Sequence, residues 1–320
     1  MNGVLEKIEK IGIVPVVVLD DPKDAKPLAE ALIKGGLPCA EVTFRTAAAE
    51  ESIKRMTESF PEMLVGAGTV LTTEQADRAI NAGAKFIVAP GLNPTVVKHC
   101  INKGIPMVPG VNNPSDIEAA LELGLDVVKF FPAEQSGGLA MIKAMSAPYV
   151  NVKFMPTGGI NAGNICDYLA FDKIIACGGS WMVKKDLVAA GKFDEIQKLT
   201  EQAVQTMLGF SLKHLGINFD NGEKAVSVCE SFADLFGFSV NKNTDVSAFA
   251  GQWIEAMKSV GRGTLGHLGI STNSVLRAKN YLETVKGVRF AEDTARYVNG
   301  KLDFIYLEDE IGGFAVHLVQ

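Results

Sequence analysis

Few lysines sit inside apolar strands, yet Asp126-Val127-Val128-Lys129-Phe130-Phe131-Pro132-Ala133 carries one. Strand alternation puts Val127, Lys129 and Phe131 on one face and Val128 and Phe130 on the other, so an amine points inward. Burying an ammonium is costly and favours the neutral amine, the form that attacks a ketone. The competing reading is a lysine that snorkels from the strand end to water. In Ala40-Glu41-Val42-Thr43-Phe44-Arg45 the same period of two places Glu41, Thr43 and Arg45 on one face. Glu41 can carry protons and Arg45 can grip a carboxylate with its planar fork, or the two can form a plain buried ion pair. Gly66-Ala67-Gly68-Thr69 lets backbone approach a ligand and offers a hydroxyl, although glycine-rich strand ends also serve packing. Thr157-Gly158-Gly159-Ile160-Asn161 and Cys177-Gly178-Gly179-Ser180-Trp181 present amides suited to an anion, so a substrate phosphate is expected there; tight turns without a ligand are the alternative.

Positioning these groups falls to a regular alternation. From residue 12 to about 183, eight β-branched runs appear: GIVPVVVLD, CAEVTFR, MLVGAGTV, AKFIVAP, IPMVPGV, DVVKFFPA, VKFMPTGG and KIIACGGSWM. Between them lie helical patterns such as TTEQADRAINAGA and PSDIEAALELGL, each ending near a glycine suited to the C′ position. Repeated βα units favour parallel strands with right-handed crossovers, and an α/β (β/α)8 TIM barrel is the simplest closure. Such barrels draw catalytic groups from strand C-terminal ends. An open doubly wound sheet competes, but its usual glycine fingerprint is missing from the first turn, LDDPKDA. A helix in KFDEIQKLTEQAVQTM ends the pattern, giving a domain over 1–208 and a second over 209–320.

The stretches EVTFRT, GAGTV, APG, VKFFPAE, PTGGI and GGSW, in that order, resemble the class I family of 2-keto-3-deoxy-6-phosphogluconate (KDPG) and 4-hydroxy-2-oxoglutarate (KHG) aldolases over residues 1–205. The resemblance implies that Lys129 forms the Schiff base and that Glu41 is the general acid/base, acting through water. It implies that Arg45 and Thr69 hold the pyruvyl carboxylate, that Pro90 and Phe131 shape the pocket, and that Thr157 lies near the substrate. Gly158, Gly159 and Ser180 would receive the phosphate. It also implies a homotrimer and a reaction that needs no metal. Expected products are pyruvate with glyceraldehyde 3-phosphate or with glyoxylate. A phosphosugar-binding sensor is an alternative; the presence of both Lys129 and Glu41 favours the enzyme.

Composition agrees with small-molecule chemistry. The 320-residue chain has a formal charge of −6, 47% hydrophobic and 21% charged residues, and no clustering of Lys and Arg of the kind that phosphate-backbone binding needs. Its five cysteines, Cys39, Cys100, Cys166, Cys177 and Cys229, form no C-x-x-C pair, which points to a reducing cytoplasm and against disulfides or a cysteine metal site. No stretch reaches the roughly 20 apolar residues that span a bilayer, so no membrane role is expected.

The last third opens with Leu212-Lys213-His214-Leu215-Gly216-Ile217 and repeats as Leu265-Gly266-His267-Leu268-Gly269-Ile270. Each opening precedes one helical segment and further strands, giving two βαβββ modules. This resembles the glyoxalase, or vicinal-oxygen-chelate, superfamily. By that pattern His214, Glu255, His267 and His317 occupy metal-ligand positions, and imidazoles with a carboxylate suit zinc, nickel, manganese or ferrous iron. His317 departs from the pattern, which usually has a carboxylate there. A lid or an oligomerisation domain is the metal-free alternative, and a bifunctional enzyme with separate metal chemistry is a further one. His99, on an expected barrel helix, is read as surface structure.

Overall fold

The computed structural model describes residues 2–241 and 243–320, and the chain divides into two compact units, Met1–Met207 and Leu208–Gln320.

The first unit is an α/β fold built on parallel strands. In chain order these are β1 (Ile13–Val17), β2 (Cys39–Thr43), β3 (Leu64–Gly68), β4 (Ile87–Val88), β5 (Met107–Val108), β6 (Gly110–Val111), β7 (Val127–Phe130), β8 (Lys153–Pro156) and β9 (Cys177–Gly179). One sheet runs β5-β4-β3-β2-β1-β9 and another β6-β7-β8. Single parallel bridges join Phe154 to Ile174 and Thr157 to Gly178. The expected fifth strand divides into β5 and β6 at Pro109, which has no N–H to donate. The break still positions the chain, because the Pro109 carbonyl accepts the Lys129 amide at 2.8 Å.

Helices start and stop where the sequence signals them. Asn93 and Asn113 cap helices whose first residues are Pro94 and Pro114. Gly83, Gly104 and Gly124, just past three helices, take φ of 98°, 71° and 79°, the left-handed region that glycine enters freely. The N-terminal helix Gly3–Ile11 inserts Leu5 and Ile8 among Val14, Cys39, Val127 and Met155 in one apolar cluster. Two residues further along these four strands, where the pleat returns to the same side, stand Val16, Glu41, Lys129 and Thr157. The apolar layer at the strand starts thus underlies the polar groups nearer the strand ends.

The second unit is mostly sheet. Its strands are β10 (Ser211–Asn218), β11 (Val240–Asn241), β12 (Ser247–Ala250), β13 (Ile254–Met257), β14 (Gly266–Ser271), β15 (Phe290–Val298), β16 (Lys301–Leu307) and β17 (Phe314–Val319). Their order is β11-β12-β13-β10-β14-β17-β16-β15. Helix Gly222–Phe236 follows β10 and helix Val275–Lys286 follows β14, so each half reads βαβββ. The halves meet where β10 and β14 pair antiparallel. The first helix packs Ala225 and Cys229 onto Ala248, Ala250 and Ala256, residues that alternate with those on the other side of the sheet. No described helix is long and apolar enough to cross a membrane.

Candidate active site

Lys129 and Glu41 meet although 88 residues separate them: Nζ donates to Oε1 at 3.4 Å. Both are buried, with 5% and 1% of their surface exposed. Lys129 does not snorkel. The second carboxylate oxygen of Glu41 and the Thr157 hydroxyl are buried without a protein partner, which leaves two polar atoms able to receive a substrate or water. Phe131 stands beside the amine, its ring centroid 5.2 Å from Nζ.

The other groups from β2 divide their tasks. The Thr43 hydroxyl donates to the Val17 carbonyl at 3.0 Å and ties β2 to β1. Arg45 extends past the strand and its Nε donates to Thr69 Oγ1 at 3.3 Å, so its partner is Thr69 rather than Glu41. Thr69 has φ of 55°, a rare state for a β-branched residue and costly by about 1–3 kcal/mol. Of the two uses open to Gly66 and Gly68, ligand approach and close packing, the structure shows packing. A Cβ on Gly66 would lie 2.4 Å from the Phe86 ring, and one on Gly68 would lie 2.2 Å from Glu41 Oε1. Gly110 similarly admits the Pro90 carbonyl, 2.0 Å from where its Cβ would be, and Gly110 pairs with Lys129.

A cavity of about 730 Å³ lies at the strand ends, lined by Arg45, Phe131, Thr157, Gly158, Gly159 and Ser180 among others. Lys129 and Glu41, being almost wholly buried, are not in that lining. The two glycine pairs serve differently. Gly158 and Gly159 take φ of 102° and 81° and form a true turn. Asn161 and Asn164 pin it by donating to the Gly159 carbonyl at 3.0 and 3.2 Å. Gly178 and Gly179 belong to β9, where added Cβ atoms would strike Thr157 Oγ1 at 2.3 Å and the Trp181 ring at 2.0 Å. Both also line the cavity, so their small size serves close packing at its wall. Lys184 and Lys185 also line the cavity and went unread in the sequence. Their signal was two adjacent cations four and five residues past Ser180; Lys185 pairs with Asp20 at 2.9 Å.

The second unit gathers its own polar cluster. His214 Nε2 is 3.2 Å from Nε2 of both His267 and His317, and Glu255 Oε2 lies 3.1 Å from His267 and 3.3 Å from His214. The imidazoles form the compact group, which Glu255 joins through His214 and His267. Ser247 donates to the other Glu255 oxygen at 2.7 Å. Burial opposes ionisation of Glu255, but hydrogen bonds from His267 and Ser247 and the imidazole charges outweigh it and hold its carboxyl below the usual range. Burial first, then the His214 and His267 rings, depress His317 to about 3, so this imidazole is neutral near neutral pH. His214 and His267 each also need a glycine opposite. Gly216 faces His267 and Gly269 faces His214 across the β10/β14 pair, and their Cβ atoms would approach the imidazoles to 2.0 and 2.5 Å. His99, by contrast, pairs with Asp77 at 2.9 Å on the first unit's exterior helices.

Comparison with known proteins covers the first unit. The family described as KDPG and KHG aldolase matches residues 4–199. The 2-dehydro-3-deoxy-phosphogluconate aldolase of Treponema pallidum is 50% identical over 205 residues, 64% of this chain and 98% of its own. The KHG/KDPG aldolase of Escherichia coli K12 is 41% identical over 193 residues, 60% of this chain and 91% of its own. Among solved structures, Legionella pneumophila KDPG aldolase with pyruvate captured as a covalent carbinolamine is 36% identical with a TM-score of 0.60, covering 62% of this chain and 97% of its own. Zymomonas mobilis KDPG aldolase with 3-phosphoglycerate is 42% identical with a TM-score of 0.58, covering 62% and 94%. Through residues 4–199 the chain belongs to the KDPG and KHG aldolase family, class I aldehyde-lyases.

Proposed function

We propose that the first unit cleaves KDPG to pyruvate and glyceraldehyde 3-phosphate, and KHG to pyruvate and glyoxylate, through a Schiff base on Lys129. The observation that carries this is the buried Lys129–Glu41 pair, its amine 3.4 Å from the carboxylate at the end of parallel strands. The strand pairs, with β9 back on β1 and bridges from β8 towards β9, support reading the unit as a closed (β/α)8 barrel. Lys129 attacks the C2 ketone, and loss of water gives an iminium that accepts the electrons of the breaking C3–C4 bond. Glu41 takes the C4 hydroxyl proton through water, then returns a proton to C3 of the enamine before hydrolysis releases pyruvate. Arg45 and Thr69 would hold the carboxylate. Thr157 would meet the substrate chain, Pro90 and Phe131 would shape its pocket, and Gly158, Gly159 and Ser180 would bind the phosphate. The covalent pyruvate seen in the Legionella enzyme and the phosphoglycerate in the Zymomonas enzyme accord with both halves of this assignment. Borohydride reduction with pyruvate, followed by peptide mapping, tests it: the adduct is expected on Lys129, and an unmodified Lys129 sinks the mechanism.

The convergence of His214, His267, His317 and Glu255 favours a second reading, a glyoxalase-like domain that holds a divalent metal. His214 lies 3.2–3.3 Å from His267, His317 and Glu255, and the three imidazole donors all fall within 4.8 Å of one another, spacings that a shared ion about 2.0–2.2 Å from each ligand could draw together. Three clustered imidazoles and a carboxylate anchored by Ser247 suit zinc, nickel, manganese or ferrous iron. When bound, such an ion would supply Lewis-acid chemistry; the residues would hold it and fix its ligands. Metal analysis of chain purified without chelators or tags tests this, and stoichiometric metal that survives alanine at His214 and His267 rules the ligand set out.

A further inference from the structure

The cavity at the strand ends of the first unit carries charge of one sign. Its ionisable lining groups are Arg45, Lys184 and Lys185, with no carboxylate among the described residues that line it. Val16, Val18 and Val183 make part of the wall apolar, and a cleft of one sign with such walls focuses its field on an anion inside. The three cations differ in what else they hold. Arg45 is bonded to Thr69. Lys185 reaches Asp20, just past β1, at 2.9 Å, which ties its segment across to the neighbouring strand end. Lys184 makes no ion pair among the described residues, so its charge is left for an anion in the cavity.

The backbone returns Lys184 towards Ser180. The Val183 amide donates to the Ser180 carbonyl at 3.1 Å and closes a turn, and the buried side chains of Met182 and Val183 anchor that turn in the core. Lys184 follows directly, in extended backbone with φ of −57° and ψ of 135°, before helix Lys185–Ala189 begins. Its carbonyl accepts the Leu187 and Val188 amides, each at 3.1 Å, so the main chain is fixed while the exposed side chain lines the cavity.

The donors assigned above to the substrate phosphate, the Gly158 and Gly159 turn and Ser180, are all neutral. A phosphate monoester carries a charge of about −1.5 to −2 at pH 7, and an ammonium is a compact point charge that suits it. KHG ends in a carboxylate at C5, three bonds short of the phosphorus of KDPG, so its second charge stops nearer Lys129. A cation placed beyond Ser180 therefore meets one substrate and not the other.

We propose that Lys184 is a specificity-determining residue of the aldolase site: its ammonium pairs with the substrate phosphate and sets the preference for KDPG over KHG, while the Lys185–Asp20 pair steadies the segment that carries it. The inference rests on the aldolase reading of the first unit.

The test compares steady-state cleavage of KDPG and KHG by the full chain and by its Lys184→Gln, Lys184→Arg and Lys184→Glu variants, at low and high salt. Lys184→Gln is expected to lower the KDPG-to-KHG ratio of kcat/KM about tenfold, the worth of one charge-assisted hydrogen bond, through KM for KDPG rather than kcat. Lys184→Glu should lower the ratio further, and Lys184→Arg should restore most of it. KM for KDPG should rise with salt in the unaltered chain, because salt screens an exposed charge pair, and that dependence should flatten in Lys184→Gln. Inorganic phosphate should compete with KDPG in the unaltered chain and more weakly in Lys184→Gln. An unchanged ratio in Lys184→Gln, a fall confined to kcat, equal losses on both substrates, or no rescue by arginine overturns the proposal while leaving the aldolase standing. Failure of the unaltered chain to cleave either substrate overturns the aldolase reading and the proposal with it.

Discussion

The two units assemble polar groups in opposite ways. In the first, every group comes once: the amine from β7, the carboxylate from β2, the guanidinium just beyond β2 and a hydroxyl at the end of β8. In the second, a repeated segment supplies one histidine from β10 and one from β14, and the last strand of each half adds a further group, Glu255 or His317. The first arrangement fixes a direction, because each strand end has its own role. The second gathers three imidazoles and one carboxylate into a single cluster of mutually paired groups. Single substitutions should therefore have sharply separate consequences in the two units.

The largest effect is expected from Lys129→Met, which should lower aldolase kcat by about 10⁴-fold or more, as loss of a nucleophile does, with Co2+ uptake unchanged. Steady-state kinetics beside cobalt titration would check this, and a variant that retains cleavage removes the covalent role. Glu41→Gln should lower kcat by roughly 10²- to 10⁴-fold, the usual share of general acid–base catalysis. It should still trap pyruvate on borohydride reduction; loss of trapping as well would make Glu41 a support for the amine rather than a proton carrier. In the second unit, His214→Ala with His267→Ala should weaken Co2+ binding beyond the roughly 10- to 100-fold cost of an outer-shell change, leaving aldolase kinetics intact. If cleavage falls in parallel, the two units are not independent. The smallest change concerns Ser180→Ala, which should cost about 1.5 kcal/mol, near tenfold in kcat/KM, for KDPG and nothing for KHG. Equal losses on both substrates would move Ser180 away from the phosphate.

Much of this was legible because strand geometry is local. The period of two sufficed to send Lys129 and Glu41 inward, and the repeat sufficed to pair His214 with His267 and to divide the second unit into βαβββ halves. What escaped the sequence was contact at long range. Nothing in EVTFRT reveals that Arg45 bonds Thr69 rather than Glu41, or that Thr43 turns to the Val17 carbonyl. The glycines of β3 suit either a ligand or close packing, and the Phe86 ring and the Glu41 carboxylate decide for packing, which only the neighbouring strands reveal. Pro109 dividing the fifth strand was visible as a residue, but its carbonyl setting the register of Lys129 was not. Lys184 and Lys185 were overlooked because exposed lysines usually mark a solvated surface.

The reciprocal fit of His267 over Gly216 and His214 over Gly269 makes the two halves depend on each other. Each half of the second unit offers one imidazole and one vacancy shaped for its twin. A free half would carry a key and a lock that do not fit each other, so it could complete the group only by meeting another copy of itself. Glu255 and His317 can differ at corresponding strand ends without disturbing this fit, whereas a side chain at either glycine would break it.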